Sequence, residues 1–117
     1  MNNFYIIAHR GVTEYGLKEN TKKSLTAIKS IKTDLNLGIE FDIQLTADNK
    51  IIIFHDEEIN EKVIEQTTYS EILKNDNDII ELEDLLKEFD NTKLLLNIEL
   101  KNYSNNYKRL NLFIKLT

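Results

Sequence analysis

The seven residues Ile39-Glu40-Phe41-Asp42-Ile43-Gln44-Leu45 alternate apolar and polar side chains without a break, introduced by Gly38. That is the period of a β-strand, whose successive side chains point to opposite faces. Glu40, Asp42 and Gln44 therefore share one face and Ile39, Phe41 and Ile43 the other, with the two carboxylates about 7 Å apart along the strand. Lys93 to Lys101 repeats the arrangement, with Asn97, Glu99 and Lys101 opposite Leu96, Ile98 and Leu100. Three carboxylates and an amine can meet if the two strands lie side by side. Either strand alone reads as a half-exposed strand with one wet side.

The surrounding segments decide between an open sandwich and a sheet covered on both faces. Phe4 to Ala8 is a short apolar run closed by His9-Arg10-Gly11 and reads as a first strand. Thr21 to Lys32 reads as a helix, with Leu25, Ile28 and Ile31 recurring every three residues and Asn20 or Thr21 at its cap. Ala47-Asp48-Asn49 makes a tight turn into a strand over Lys50 to His55. Helices follow at Tyr69 to Lys74 and Glu81 to Phe89, then the strand at Lys93 to Lys101 and a last helix within Tyr103 to Thr117. The order β-α-β-β-α-α-β argues for a largely parallel α/β sheet. In such a sheet both faces are covered, so acidic residues near two strand ends need a partner, and a divalent cation is the natural one.

Composition narrows the chemistry of that partner. The chain has no cysteine, which leaves oxygen and imidazole as metal ligands and favours Mg2+ or Ca2+. Acidic residues outnumber basic ones 20 to 15, and no Lys and Arg stretch interleaves with aromatics, so nucleic acid is not expected as a partner. No apolar run approaches the roughly 20 residues of a membrane span. Met1 to Ala8 runs into His9-Arg10 with neither a basic flank nor a signal-length apolar stretch, so a cytoplasmic location is the expectation.

His9 and His55 are the only histidines, and each closes a predicted strand. One histidine beside an apolar run is commonly a hydrogen-bonded structural residue. Two so placed, flanking a metal, make a sensible acid and base for phosphoester cleavage. Arg10 supplies a forked donor that suits a phosphate.

In order along the chain, His9-Arg10-Gly11, Glu19-Asn20-Thr21, Glu40-Phe41-Asp42 with Leu45-Thr46-Ala47-Asp48, His55-Asp56 and Glu99-Leu100-Lys101 resemble the signature of the glycerophosphodiester phosphodiesterase family, hydrolases of lipid and glycerol metabolism. The resemblance implies a TIM (β/α)8 barrel whose metal is held by Glu40, Asp42 and Glu99, with His9 and His55 as the acid and base pair. It implies that Arg10 and Lys101 contact the substrate phosphate, and that Glu19 and Asn20 shape the same site. Which histidine is acid and which is base stays open. So does the choice between attack by water and a cyclic intermediate formed by a substrate hydroxyl.

This sequence departs from the family pattern at Lys18, where a proline commonly precedes Glu-Asn-Thr, and at Glu61, where an arginine is often found. The segment after His55 also looks shortened. A complete barrel takes about 250 residues, against 117 here. Residues 1–117 are therefore expected to form an incomplete catalytic domain, about the first four strands of a barrel cut off before closure. Its inner face, lined by residues such as Ile7, Ile53 and Asn97, would be open, with self-association through open sheet edges. The implied reaction is hydrolysis of a glycerophosphodiester to glycerol 3-phosphate and an alcohol, weak or absent in such a short chain. A non-catalytic fragment that at most binds a metal or phosphate is the alternative, and headgroup cleavage with transfer to an internal hydroxyl is another.

Overall fold

A computed structural model describes residues 4–116; Met1 to Asn3, on which the reading of the chain start partly rests, and Thr117, the end of the predicted last helix, lie outside them. The fold is built on one long central strand. β1 (Tyr5–His9) runs parallel to the first half of β2 (Asn36–Leu45), with His9 opposite Glu40. β6 (Leu95–Leu100) runs parallel along β2, with Asn97 opposite Glu40 and Glu99 opposite Asp42. β3 (Ile51–Ile53) folds back antiparallel against the end of β2, pairing Ile53 with Ile43 and Ile52 with Gln44. The sheet is thus largely parallel, and its antiparallel strand is the one delivered by the predicted tight turn.

That turn is held by its own side chains. Thr46 Oγ1 donates to Asp48 Oδ1 at 2.6 Å and accepts from Lys50 N at 3.0 Å, while Asn49 takes a left-handed φ of 64°. Asp48 Oδ1 also accepts from Tyr69 N, which joins the turn to the start of α2 (Tyr69–Asn75). Asp48, one of the residues carrying the family resemblance, therefore works as an architectural acceptor.

The helix expected over Thr21 to Lys32 is shorter. α1 (Lys22–Thr26) starts from a capping box in which the Thr21 and Ser24 side chains bond each other's backbone N–H, and residues 27–30 tighten into a 3-10 turn. Leu25 and Ile28 stay on the buried face through this change. α3 (Leu82–Lys87) buries Leu82 and Leu85, and α4 (Tyr107–Leu116) buries Phe113. These side chains meet Ile39, Phe41, Ile43 and Leu45 of β2 in the main core.

Two features differ from the sequence-based expectation. A hairpin of β4 (Glu58–Ile59) and β5 (Lys62–Val63) occupies the segment that looked merely shortened. Its two-residue turn puts Asn60 and Glu61 at φ of 48° and 66°, the left-handed pair of a primed turn. A glutamate is an unusual occupant there, so the residue type carries no turn signal. The second difference concerns Ile53, expected on the inner face with Ile7 and Asn97. Opposite Ile43, Ile53 joins the helix-side core, and Ile52 takes the other face in a smaller cluster with Ile59, Ile64, Ile72 and Ile79.

Gly38 allows β6 to approach. A Cβ at this position would lie 2.7 Å from Leu95 O and 2.9 Å from Leu95 Cβ. Among the described residues the sheet is open: the outer edges of β1 and β6 carry no strand partner, and the sheet closes no barrel. No helix there is long and apolar enough to cross a membrane.

Candidate active site

The parallel register of β2 and β6 brings the acidic residues together at the C-terminal end of the sheet. Carboxylate oxygens of Glu40, Asp42 and Glu99 lie within 4.8 Å of one another. Glu40 and Asp42 are 7 % and 1 % exposed, so the wet-face reading of β2 does not apply. Burial, followed by the neighbouring charge of Asp42, pushes the Glu40 carboxyl above the usual carboxylate range. Glu40 Oε1 and Asp42 Oδ1 are buried without a hydrogen-bond partner. Two orphaned carboxylate oxygens converging with a third carboxylate are a poor arrangement for bare charges and a suitable one for a hard divalent cation.

Glu99 is the open side of the cluster, its side chain 53 % exposed. It accepts from Lys101 Nζ at 2.8 Å, and this hydrogen bond holds Glu99 below the usual range and Lys101 above its own. The strand geometry explains the contact, since residues two apart point the same way.

His9 ends β1 beside Glu40, with Nε2 3.5 Å from Glu40 Oε2 and its side chain 70 % exposed. The next residues turn sharply. Arg10 and Gly11 both have left-handed φ, 59° and 92°, and Arg10 N donates to Glu40 O at 2.7 Å. Only glycine fits at position 11, where a Cβ would meet Ser24 at 2.8 Å. The turn carries the Arg10 guanidinium over the acidic cluster, 3.4 Å from Asp42 Oδ2 and 2.9 Å from Glu19 Oε2. Buried Asn20, also at positive φ, accepts nothing from Arg10's side chain; its N–H takes the Arg10 carbonyl and its Nδ2 donates to Asp42 Oδ2 at 3.1 Å. Glu19 and Asn20 thus orient Arg10 and Asp42.

His55 follows β3 on a loop whose backbone is tied to β2. Phe54 N donates to Asp42 O, and buried Gln44 donates through Nε2 to both Phe54 O and Asp56 O, at 2.9 and 2.7 Å. The imidazole Nδ1 lies 2.7 Å from Asp56 Oδ1. Arg10, Glu19, Asn20 and His55 line a cleft of about 430 Å3, with Lys18, Phe54 and Asp56 completing it. Larger hollows of about 780 and 890 Å3 lie against α2 and between α1 and α3, away from the carboxylates. Of the site residues expected from sequence, Glu40, Asp42 and Glu99 form the cluster, His9, Arg10, Asn20 and Lys101 contact its members directly, Glu19 is joined to it through Arg10, and His55 lines the cleft beside Arg10. Gln44 carried the right face in the sequence but no signal of its role, because hydrogen bonds to carbonyls leave no residue pattern.

Comparison with known proteins places this geometry. The chain is 34 % identical over 113 residues to the uncharacterized protein YqiK of Bacillus subtilis (strain 168), an alignment covering 83 % of this chain and 45 % of that protein. It superposes on a glycerophosphodiester phosphodiesterase from Parabacteroides distasonis ATCC 8503 with TM-score 0.76 and 31 % identity, covering 94 % of this chain and 47 % of that one. A phosphodiesterase from Oleispira antarctica, solved with the product sn-glycerol-3-phosphate, shares the fold at TM-score 0.69 and 24 % identity over 94 % of this chain and 50 % of its own. The chain spans about half the length of these proteins, and its open sheet is the corresponding part of a (β/α)8 barrel. Residues 9–115, from the first histidine to the last helix, match the glycerophosphoryl diester phosphodiesterase family, and the chain belongs to that family.

Proposed function

We propose that residues 1–117 are the part of a glycerophosphodiester phosphodiesterase domain that holds its divalent cation and both proton-transfer histidines. The reaction is hydrolysis of a glycerophosphodiester to glycerol 3-phosphate and an alcohol. The observation that carries this reading is the convergence of Glu40, Asp42 and Glu99 within 4.8 Å, two of them buried with unpartnered oxygens. The product bound to the Oleispira antarctica phosphodiesterase agrees with it.

In this reading Glu40, Asp42 and Glu99 hold Mg2+ or Ca2+, which when bound polarises phosphoryl oxygens and offsets developing charge. The protein's own groups do the rest. Arg10 is presented over the cluster by Glu19 and by the left-handed turn, where its fork suits a phosphate. Lys101 stands on the other side, just past the end of β6, the strand that carries Glu99. His9, against Glu40, and His55, in the cleft with Arg10, are the pair that withdraws a proton from the attacking water or hydroxyl and returns one to the leaving alkoxide. Asp56 Oδ1, 2.7 Å from His55 Nδ1, orients the imidazole.

Incubating the purified chain with glycerophosphocholine and Mg2+ or Ca2+, with a chelator control, and measuring glycerol 3-phosphate tests the reaction. Cation-dependent release supports it. Failure of the chain to bind either cation in a calorimetric titration removes it. The exposure of His9 and Glu99, 70 % and 53 %, favours a second reading in which the chain binds the cation without turning substrate over. Binding without release identifies that case.

A further inference from the structure

We infer that Tyr103 is a positioning residue for His55, an inference that rests on the reading of His55 as one of the two proton-transfer groups. The loop bearing His55 presents three consecutive carbonyls, and each is taken by a side chain. Gln44 Nε2 takes those of Phe54 and Asp56, and the Tyr103 hydroxyl donates to that of His55 itself. With Gln44 alone, the peptide between the two anchored ones is free to rotate and swing the imidazole. The Tyr103 bond removes that freedom and ties His55 to the chain two residues beyond Lys101.

Such a tie positions something only if its far end is fixed. Ser104, next to Tyr103, donates through N and Oγ to the two oxygens of Glu65, at 3.0 and 3.2 Å. Glu65 is 7 % exposed and lies 3.5 Å from Arg109 Nε. Arg109 Nη2 donates in turn to Leu45 O at 2.6 Å, at the end of β2. The segment after β6 is therefore clamped to the strand that carries Glu40, Asp42 and Gln44, and Tyr103 transmits that clamp to His55. Tyr103 touches none of the three carboxylates by any hydrogen bond, so its role is separable from cation binding.

The chain's two histidines make the test direct. Diethyl pyrocarbonate acylates accessible imidazole nitrogens, and peptide mapping separates His9 from His55. In Tyr103→Phe, which removes only the hydroxyl, the expected result is acylation of His55 faster by about fivefold, the factor that one net hydrogen bond is worth, with the rate at His9 unchanged. The unfolding temperature should fall by no more than the few degrees that one hydrogen bond is worth, and Mg2+ affinity should match the parent protein. An unchanged rate at His55, or equal acceleration at both histidines, overturns the inference. This readout needs no turnover: failure of the chain to bind either cation defeats the proposed function, while the positioning role stands or falls on the acylation rates alone.

Discussion

At the scale of single residues, burial separates the three carboxylates into two kinds. Glu40 and Asp42 are held in the sheet with oxygens that nothing else satisfies, whereas Glu99 is half in water and already paired with Lys101. Glu40→Ala or Asp42→Ala is accordingly expected to weaken Mg2+ or Ca2+ binding by more than about tenfold, and Glu99→Ala by less, in a calorimetric titration. Unchanged affinity in both buried variants would put the cation elsewhere. The histidines separate from the carboxylates by what they change. In a protein that contains the complete barrel, His9→Ala or His55→Ala should lower turnover of a glycerophosphodiester by about 10² to 10⁴, with little effect on substrate binding. A variant with full turnover would take that histidine out of the mechanism.

At the scale of elements, the β2–β6 register and the β2–β3 turn carry the site. Gly38→Ala forces a Cβ to within 2.7 Å of Leu95 O, so the strands must part. The expected cost is about 1–3 kcal/mol in urea unfolding. Cation affinity should fall with it, because the same pairing sets Glu99 beside Asp42. An alanine variant as stable as the parent would show that β6 shifts without consequence. The turn offers a pH test. The Thr46 hydroxyl, with help from Tyr69 N, holds Asp48 below its ordinary 3.8. A carboxyl with a depressed folded-state value stabilises the fold fully above its unfolded value, and loses that contribution as pH falls through the folded one. Asp48→Ala should therefore cost about 1 kcal/mol near neutral pH, the low figure allowing for solvent around Asp48, with the deficit shrinking below pH 3.8. A deficit that persists unchanged into strong acid would mean the turn depends on packing and not on this carboxylate.

At the scale of the whole molecule, the open sheet governs behaviour. Ile6 and Ile7 of β1 are 56 % and 38 % exposed, and Leu95 and Ile98 of β6 are 40 % and 38 %, along edges without strand partners among the described residues. Unpaired edges beside apolar side chains promote association. The 117-residue chain is expected to elute from sizing chromatography as a dimer or larger species and to show little turnover, since water at Glu99 and His9 raises the local dielectric that phosphoryl chemistry needs low. A monomer peak with robust cation-dependent activity would contradict both expectations. How far such properties could be read in advance follows from what each pattern encodes. Period-two alternation places Glu40 with Asp42, and Asn97 with Glu99, because a strand's side chains must alternate whatever surrounds them. The ordered motifs from His9 to Lys101 identify the family for the same local reason. Alternation does not set register, since sliding β6 by two residues preserves every face; the pairing of Asp42 with Glu99 depends on the close approach of Leu95 to Gly38. Nor did it reveal that Ile53 faces the helices, because a three-residue run of isoleucine has no alternation to read. The anchoring of His55 by Gln44 and Tyr103 likewise exists only in three dimensions, because backbone carbonyls accept hydrogen bonds without regard to the residue that bears them.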